Sequence, residues 1–189
     1  NTSSHTSSHA SSPPFPNPIS PDSTSSPPSI DWIRFEPPPG LALVIAIPDI
    51  TVSTREARAI LPREVPFADA VLNVTRTAFL VAALAQGRLD LLGEATEDKL
   101  HQPYRSHLVP GLHEVFRAAR AAGALGAVLC GSGPSVVAFV RCASKGPGCE
   151  DLGAASQPEA TIATEVARAM GEAFERHGIK SRTILAFPS

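Results

Sequence analysis

Residues 125–139 read LGAVLCGSGPSVVAF, two apolar runs on either side of Gly131-Ser132-Gly133-Pro134-Ser135. Short apolar runs bounded by turn formers are strand candidates, here Leu125–Leu129 and Ser135–Val140. So short a connection joins antiparallel strands, because parallel strands need a crossover of a dozen residues or more. Five loop residues exceed what a minimal hairpin requires. Two glycines let backbone N–H groups approach an anion without Cβ obstruction. The loop is therefore read two ways, as a tight turn or as a ligand-facing loop. It is neither GxxxxGK[ST] nor GxGxxG.

The neighbouring patterns extend this pair into a domain. Leu41–Ile47 (LALVIAI), between Pro39-Gly40 and Pro48, reads as a buried strand. Ser53-Thr54-Arg55-Glu56 is a capping box, opening a helix of about two turns that stops before Pro62. Phe67, Val71, Val74, Ala78, Val81 and Ala85 recur in steps of three and four, with Pro66 before them and Gly87 after. This predicts about five helical turns packing that face on a sheet. A short helix around Leu89–Ala95 follows. Leu100–Gly111 holds two prolines and is expected to be extended or looped. A helix over Leu112–Ala122 is closed by Gly123. Residues 143–157 read as a surface loop. Ser156 and Glu159 form a second capping box, with Ile162, Val166, Ala169, Ala173 and Phe174 on one helix face, Gly178 as its stop and Arg182–Phe187 as a last strand. The order strand, helices, strand, strand, helix, strand predicts an α+β fold: a ferredoxin-like split βαβ unit with an antiparallel sheet and extra helices in the first connection.

Composition divides the 189 residues in two. Residues 1–29 hold eleven Ser, seven Pro and one charge, Asp22, too little apolar surface to offset the entropy of ordering. They are read as a disordered low-complexity tail, and 30–189 as the folded domain. The net charge of −2 gives no basis for binding nucleic acid or an anionic membrane. Phe139 is the one aromatic on the central strand and has no basic stripe beside it, which disfavours RNA stacking despite the shared βαββαβ order. The longest uninterrupted apolar run, Ala78–Ala85, is far short of the ~20 residues of a membrane span. No signal or mitochondrial presequence pattern is visible at the N-terminus. Cys130, Cys142 and Cys149 lack zinc-type spacing, and an odd count fits a reducing compartment, so a cytoplasmic location is expected.

Several polar residues are candidates for chemistry. Thr54 and Arg58 share one face of the short helix. Thr54 lies in its first turn, where free N–H groups favour anions. Arg58 offers a fork suited to a carboxylate or phosphate, although an isolated arginine is more often simply solvated. His101-Gln102-Pro103-Tyr104-Arg105 is a proline-stiffened polar loop suited to binding. His101 is read as structural rather than as a base, Asn73 and Arg76 as a structural polar network, and Arg55 as surface. No metal site is expected.

VSTREARAILP (52–62), LNVTRTAFLVAAL (72–84), DKLHQPYRSHLVPGL (98–112) and LGAVLCGSGPSVVAF (125–139) together, in this order, resemble homoserine kinases of the GHMP kinase superfamily. The resemblance runs from about Trp32 to Phe187 and corresponds to the family's C-terminal, substrate-side domain. HQPYR, and DWIRF before the first strand, look more fungal than bacterial. The resemblance implies ATP- and Mg²⁺-dependent phosphorylation of the L-homoserine hydroxyl in threonine synthesis, with a homodimer allowed. It implies that Arg58 and Arg105 bind the substrate carboxylate beside Thr54. Gly131, Ser132, Gly133 and Ser135 would then form the phosphate-side loop. The family's PxxxGLGSSA motif and following magnesium carboxylate are absent, so this chain is expected to be an incomplete kinase, inactive without its ATP-binding half. A non-catalytic amino-acid-binding module is the alternative. An inert fragment with its nucleotide-domain face exposed is a third reading, and would be poorly soluble.

Overall fold

The computed structural model describes residues 33–142 and 158–188. The tail reading for 1–29, the loop over 143–157 and the cap Ser156 lie outside them. The chain divides into two units, Asn1–Arg34 and Phe35–Ser189; Ile33 and Arg34 of the first have no regular structure. The second contains, in order, β1 (Leu41–Pro48), α1 (Thr54–Ala59), α2 (Phe67–Ala85), α3 (Leu92–Ala95), α4 (Gln102–Arg105), α5 (Leu112–Ala121), β2 (Gly126–Leu129), β3 (Val136–Arg141), α6 (Pro158–Glu175) and β4 (Ser181–Ala186). Single 3₁₀ turns precede α3 and follow α4.

Among the described residues the strands form one antiparallel sheet of order β2-β3-β1-β4, the arrangement expected of a split βαβ unit. Val44, at its centre, faces Ala138 on one side and Leu185 on the other. Burial alternates along β1, with Ala42, Val44 and Ala46 buried and the intervening residues half-buried. Both faces of the strand are thus at least partly covered, so its sequence is apolar throughout rather than alternating.

Helices α5 and α6 cover the first face. The strands present small residues there, Ala42, Ala46, Ala127 and Ala138. Against them lie larger side chains from the helices, among them Leu112, Val115, Val166, Met170 and Phe174, the last four at 0% exposure. Small facing large lets the two layers interdigitate. Of the stripe predicted for α6, Val166, Ala173 and Phe174 are buried and Ile162 and Ala169 half-buried, and Ala163 and Met170 join the buried face. Gly123 and Gly178, both with positive φ, end α5 and α6 as anticipated.

The second face is only partly covered. The segment 92–95 approaches β2 so closely that a Cβ at Gly93 would stand 2.8 Å from the Leu125 carbonyl oxygen, and one at Gly126 3.0 Å from that of Leu92. Helix α2 has the predicted limits but the opposite orientation. The stripe expected to pack on the sheet faces outward: Phe67 is 84% and Val74 71% exposed, and Val71 and Val81 are also exposed. The inward stripe is Leu72, Asn73, Arg76, Phe79, Leu80 and Ala83. Period alone could not choose between the two stripes, because α2 is apolar on both. Its polar residues chose: Asn73 and Arg76 turn toward partners on the segment around α3. By length and composition α2 could also cross a bilayer, contrary to the expectation from run length. The ion pairs of Arg76 with Glu94 (2.7 Å) and Glu97 (2.9 Å) instead fasten it to the rest of the domain.

The prolines of 100–111 do not keep that segment extended. Pro103 sits in the first turn of α4, where its missing N–H costs no hydrogen bond.

Candidate anion-binding site at one end of the sheet

β1 and β2 end, and β3 begins, at the same end of the sheet. α1 follows β1, and the glycine loop joins β2 to β3. The capping box predicted from Ser53 and Glu56 is present: the Ser53 hydroxyl accepts from Glu56 N–H, and the Glu56 carboxylate accepts from Ser53 N–H. It starts α1 so that Thr54 and Arg58 are exposed while Ala57 is fully buried. Among the described residues the Arg58 guanidinium and the Thr54 hydroxyl have no hydrogen-bond or ionic partner.

Arg105 joins the parts. Its Nε donates to the Ala57 carbonyl of α1 at 3.1 Å, and its Nη1 to the Gly131 carbonyl of the glycine loop at 2.8 Å. One guanidinium therefore clasps α1, α4 and the loop. The remaining Nη2 donors are available to a ligand, so Arg105 offers only part of its fork.

The glycine loop is closed at its base by Cys130 N–H to Ser135 carbonyl (2.8 Å) and Gly133 N–H to Cys130 carbonyl (2.9 Å). The Gly133–Pro134 peptide is cis. Gly131 and Gly133 have φ of +55° and +87°. A Cβ at Gly131 would meet open space, so its backbone angle, not crowding, requires glycine. The amides of Gly131 and Ser132 donate to no group among the described residues. Adjacent uncommitted N–H groups in a turn suit an anion. Ser135 contributes through its backbone carbonyl, and its burial is intermediate.

A second layer holds α4 in place; Asn73 belongs to it, as its reading as a structural polar residue anticipates, whereas Asp98 and Gln102 were missed. Asp98, with its side chain 7% exposed, accepts from the N–H groups of Leu100 (3.0 Å), His101 (3.0 Å) and Gln102 (2.5 Å), and from the Asn73 amide (2.6 Å). Asn73 also accepts from Lys99 N–H. The buried Gln102 amide oxygen accepts from Leu129 N–H at 2.7 Å, tying α4 to the last residue of β2. The available signal was an aspartate four residues before Gln102, a side-chain cap for the turn. Burial pushes the Asp98 carboxyl upward, but the four donors together outweigh it and hold it below the usual carboxylate range. Burial lowers the His101 pKa, helped by Arg105 and opposed by the Asp98 charge. A neutral ring agrees with Nδ1 facing the Arg105 Nη1 donor at 3.4 Å, and supports the structural reading of His101.

The donor set fits an anion rather than a magnesium ion. Glu56 is committed to the capping box and Asp98 to its four donors. Among the described residues no three His, Cys, Asp or Glu side chains cluster as metal ligands would.

The family described as "GHMP kinases C terminal" matches residues 80–176, half of the chain, and the chain belongs to that family. Its relatives narrow the class. It is 50% identical over 147 residues to the homoserine kinase of Moorella thermoacetica, covering 78% of this chain and 43% of that protein. It is 46% identical over 122 residues to a homoserine kinase of Thermus thermophilus, covering 65% and 42%. The crystal structure of homoserine kinase from Cytophaga hutchinsonii superposes with a TM-score of 0.70 at 31% identity, covering 83% of this chain and 44% of the other. The chain thus spans less than half the length of the relatives it matches.

Proposed function

We propose that this chain is the substrate-side part of a homoserine kinase, an enzyme that transfers a phosphoryl group from ATP to the hydroxyl of L-homoserine. The Arg105 clasp carries the reading, because it sets the free Arg58–Thr54 face of α1 beside the uncommitted amides of the glycine loop. Such a substrate needs two anion-holding places, one for the amino-acid carboxylate and one for the phosphate under transfer. Arg58, Thr54 and the Nη2 donors of Arg105 supply the first, and Gly131–Ser135 the second. Charge-assisted hydrogen bonds contribute about 1.5–3 kcal/mol each, enough to orient a small ligand. ATP and Mg²⁺ supply the phosphoryl group and its charge neutralisation when bound. Glu56 and Asp98 are committed to backbone donors, so neither is assigned the role of holding the metal. A cytoplasmic location and a homodimer go with this reading. A fungal affinity rests on HQPYR and DWIRF alone, since the relatives named above are bacterial.

A binding module without catalysis is the second reading for the isolated chain, resting on the anion-holding residues Arg58, Thr54 and Arg105 at one end of the sheet. Calorimetric titration with L-homoserine tests the shared claim. Heat is expected at millimolar ligand or below and is lost in Arg58→Ala. No heat with the unaltered chain would overturn both readings. Both readings predict no phosphate transfer from the chain alone; transfer from MgATP once the unmatched part of the relatives is supplied would favour the kinase, and its absence the module.

A further inference from the structure

We propose that His101 is a positioning residue of the ligand site, holding the Arg105 guanidinium so that its Nη2 donors are turned to the substrate carboxylate. This rests on the kinase reading and adds a residue that sets the geometry of the same site. His101 stands at the N-cap of α4 and Arg105 is its last residue, four positions on, so the two side chains share one face. Arg105 N–H donates to the His101 carbonyl at 2.9 Å, which closes the turn between them. His101 Nδ1 then lies 3.4 Å from Arg105 Nη1. The ring is half-buried and lines the cleft that Asn73, Asp98 and Gln102 also line. The layer that anchors α4 therefore also fixes where the imidazole stands.

The donors of Arg105 show what the ring does. A guanidinium carries N–H groups on Nε, Nη1 and Nη2 and accepts nothing. Nε–H goes to the Ala57 carbonyl at 3.1 Å and one Nη1–H to the Gly131 carbonyl at 2.8 Å. The other Nη1–H is the group that meets the imidazole. Arginine can only donate, so His101 Nδ1 must accept and the ring proton must stand on Nε2. Asp98 Oδ2, 3.7 Å from Nε2, favours the proton there. With His101 as the third acceptor, every N–H of the guanidinium except the Nη2 pair is committed, and the planar group has one orientation. Protonation of the ring would set a donor against a donor. Burial and the Arg105 charge oppose it, and Asp98 favours it. The other charged groups on the cleft, Arg76 and Glu97, are paired with each other at 2.9 Å. The ring pKa lies below its ordinary value, so the accepting form predominates at neutral pH.

The test is calorimetry of the 189-residue chain with L-homoserine, joined to nitrogen NMR of the imidazole without ligand. His101→Ala should weaken binding about fivefold, in keeping with the loss of one hydrogen bond. His101→Asn sets an amide oxygen where Nδ1 stands and should bring affinity back to within about twofold. Arg105→Lys keeps the charge and loses the fork, and in that background His101→Ala should change affinity by less than about twofold. A ring that only props up the fold would cost the same in both backgrounds. The NMR spectrum should place the ring proton on Nε2 at neutral pH, and the Nδ1 resonance should move in Arg105→Lys. Unchanged affinity in His101→Ala, an equal loss in the two backgrounds, no recovery in His101→Asn, or a ring proton on Nδ1 would each overturn the inference. If the unaltered chain gives no heat, the kinase reading fails, and the NMR result alone decides whether His101 holds Arg105.

Discussion

Helices α6 and α2 are similar in length, 18 and 19 residues, and differ in what their apolar periodicity means. On α6 the predicted stripe turns inward, and Val166, Met170, Ala173 and Phe174 are wholly inaccessible. On α2 the predicted stripe is the exposed one. The reason lies on the opposite sides of the two helices. The exposed side of α6 is polar, carrying the Arg168 pairs with Glu165 and Glu172, so only one orientation buries apolar area. α2 has two apolar stripes, and the partners of Asn73 and Arg76 decide which one turns inward. A helix with a second, uncommitted stripe retains apolar surface for another partner.

That contrast can be broken by substitution. Phe174→Ala on α6 should cost about 3–5 kcal/mol by denaturant unfolding, because it empties a closed layer between sheet and helix. A loss below about 1 kcal/mol would mean the layer is not closed. Asp98→Ala leaves three backbone N–H groups without their acceptor and should cost about 2–4 kcal/mol, while also weakening homoserine binding through displacement of α4. Stability lost with affinity retained would detach this layer from the site.

Substitution on the outward stripe of α2 should barely register in the chain by itself. Val74→Glu is expected to shift stability by no more than about 0.5 kcal/mol, since the side chain is already in water. A large loss there would show that the stripe is covered within the chain. The pH dependence should be gentler still. His101 has a folded pKa below its ordinary 6.5, so the unfolded chain takes up the proton first. Stability should therefore fall as pH drops from 6.5 to the lower folded value. The Asp98 contribution is present above the ordinary 3.8 and is lost as pH falls toward its depressed folded value. Unfolding midpoints from about pH 8 to about pH 3 should show the first decline vanish in His101→Gln.

The sheet and its order were legible because each strand was a short apolar run fenced by proline or glycine. α1 was legible because its cap is local: Ser53 and Glu56 are three residues apart and need no tertiary partner. The parts of the candidate site, Arg58, Arg105 and the glycine loop, are proposed from a resemblance carried by four motifs, and the fold sets them at one end of the sheet. What holds those parts together was not legible. The Arg105 clasp joins residues 48 and 26 positions apart, and Gln102 reaches across 27 to Leu129, separations that no local pattern encodes. The helical turn at α4 was hidden because Pro103 signals extension unless an upstream acceptor, Asp98, is seen to cap it.

A crystal structure of the chain grown with millimolar L-homoserine tests the account most directly. The ligand carboxylate is predicted at the Arg58 guanidinium and Thr54 hydroxyl, with the ligand's side-chain hydroxyl directed to the amides of Gly131 and Ser132. A ligand bound elsewhere, with Arg58 still directed to solvent, would contradict it.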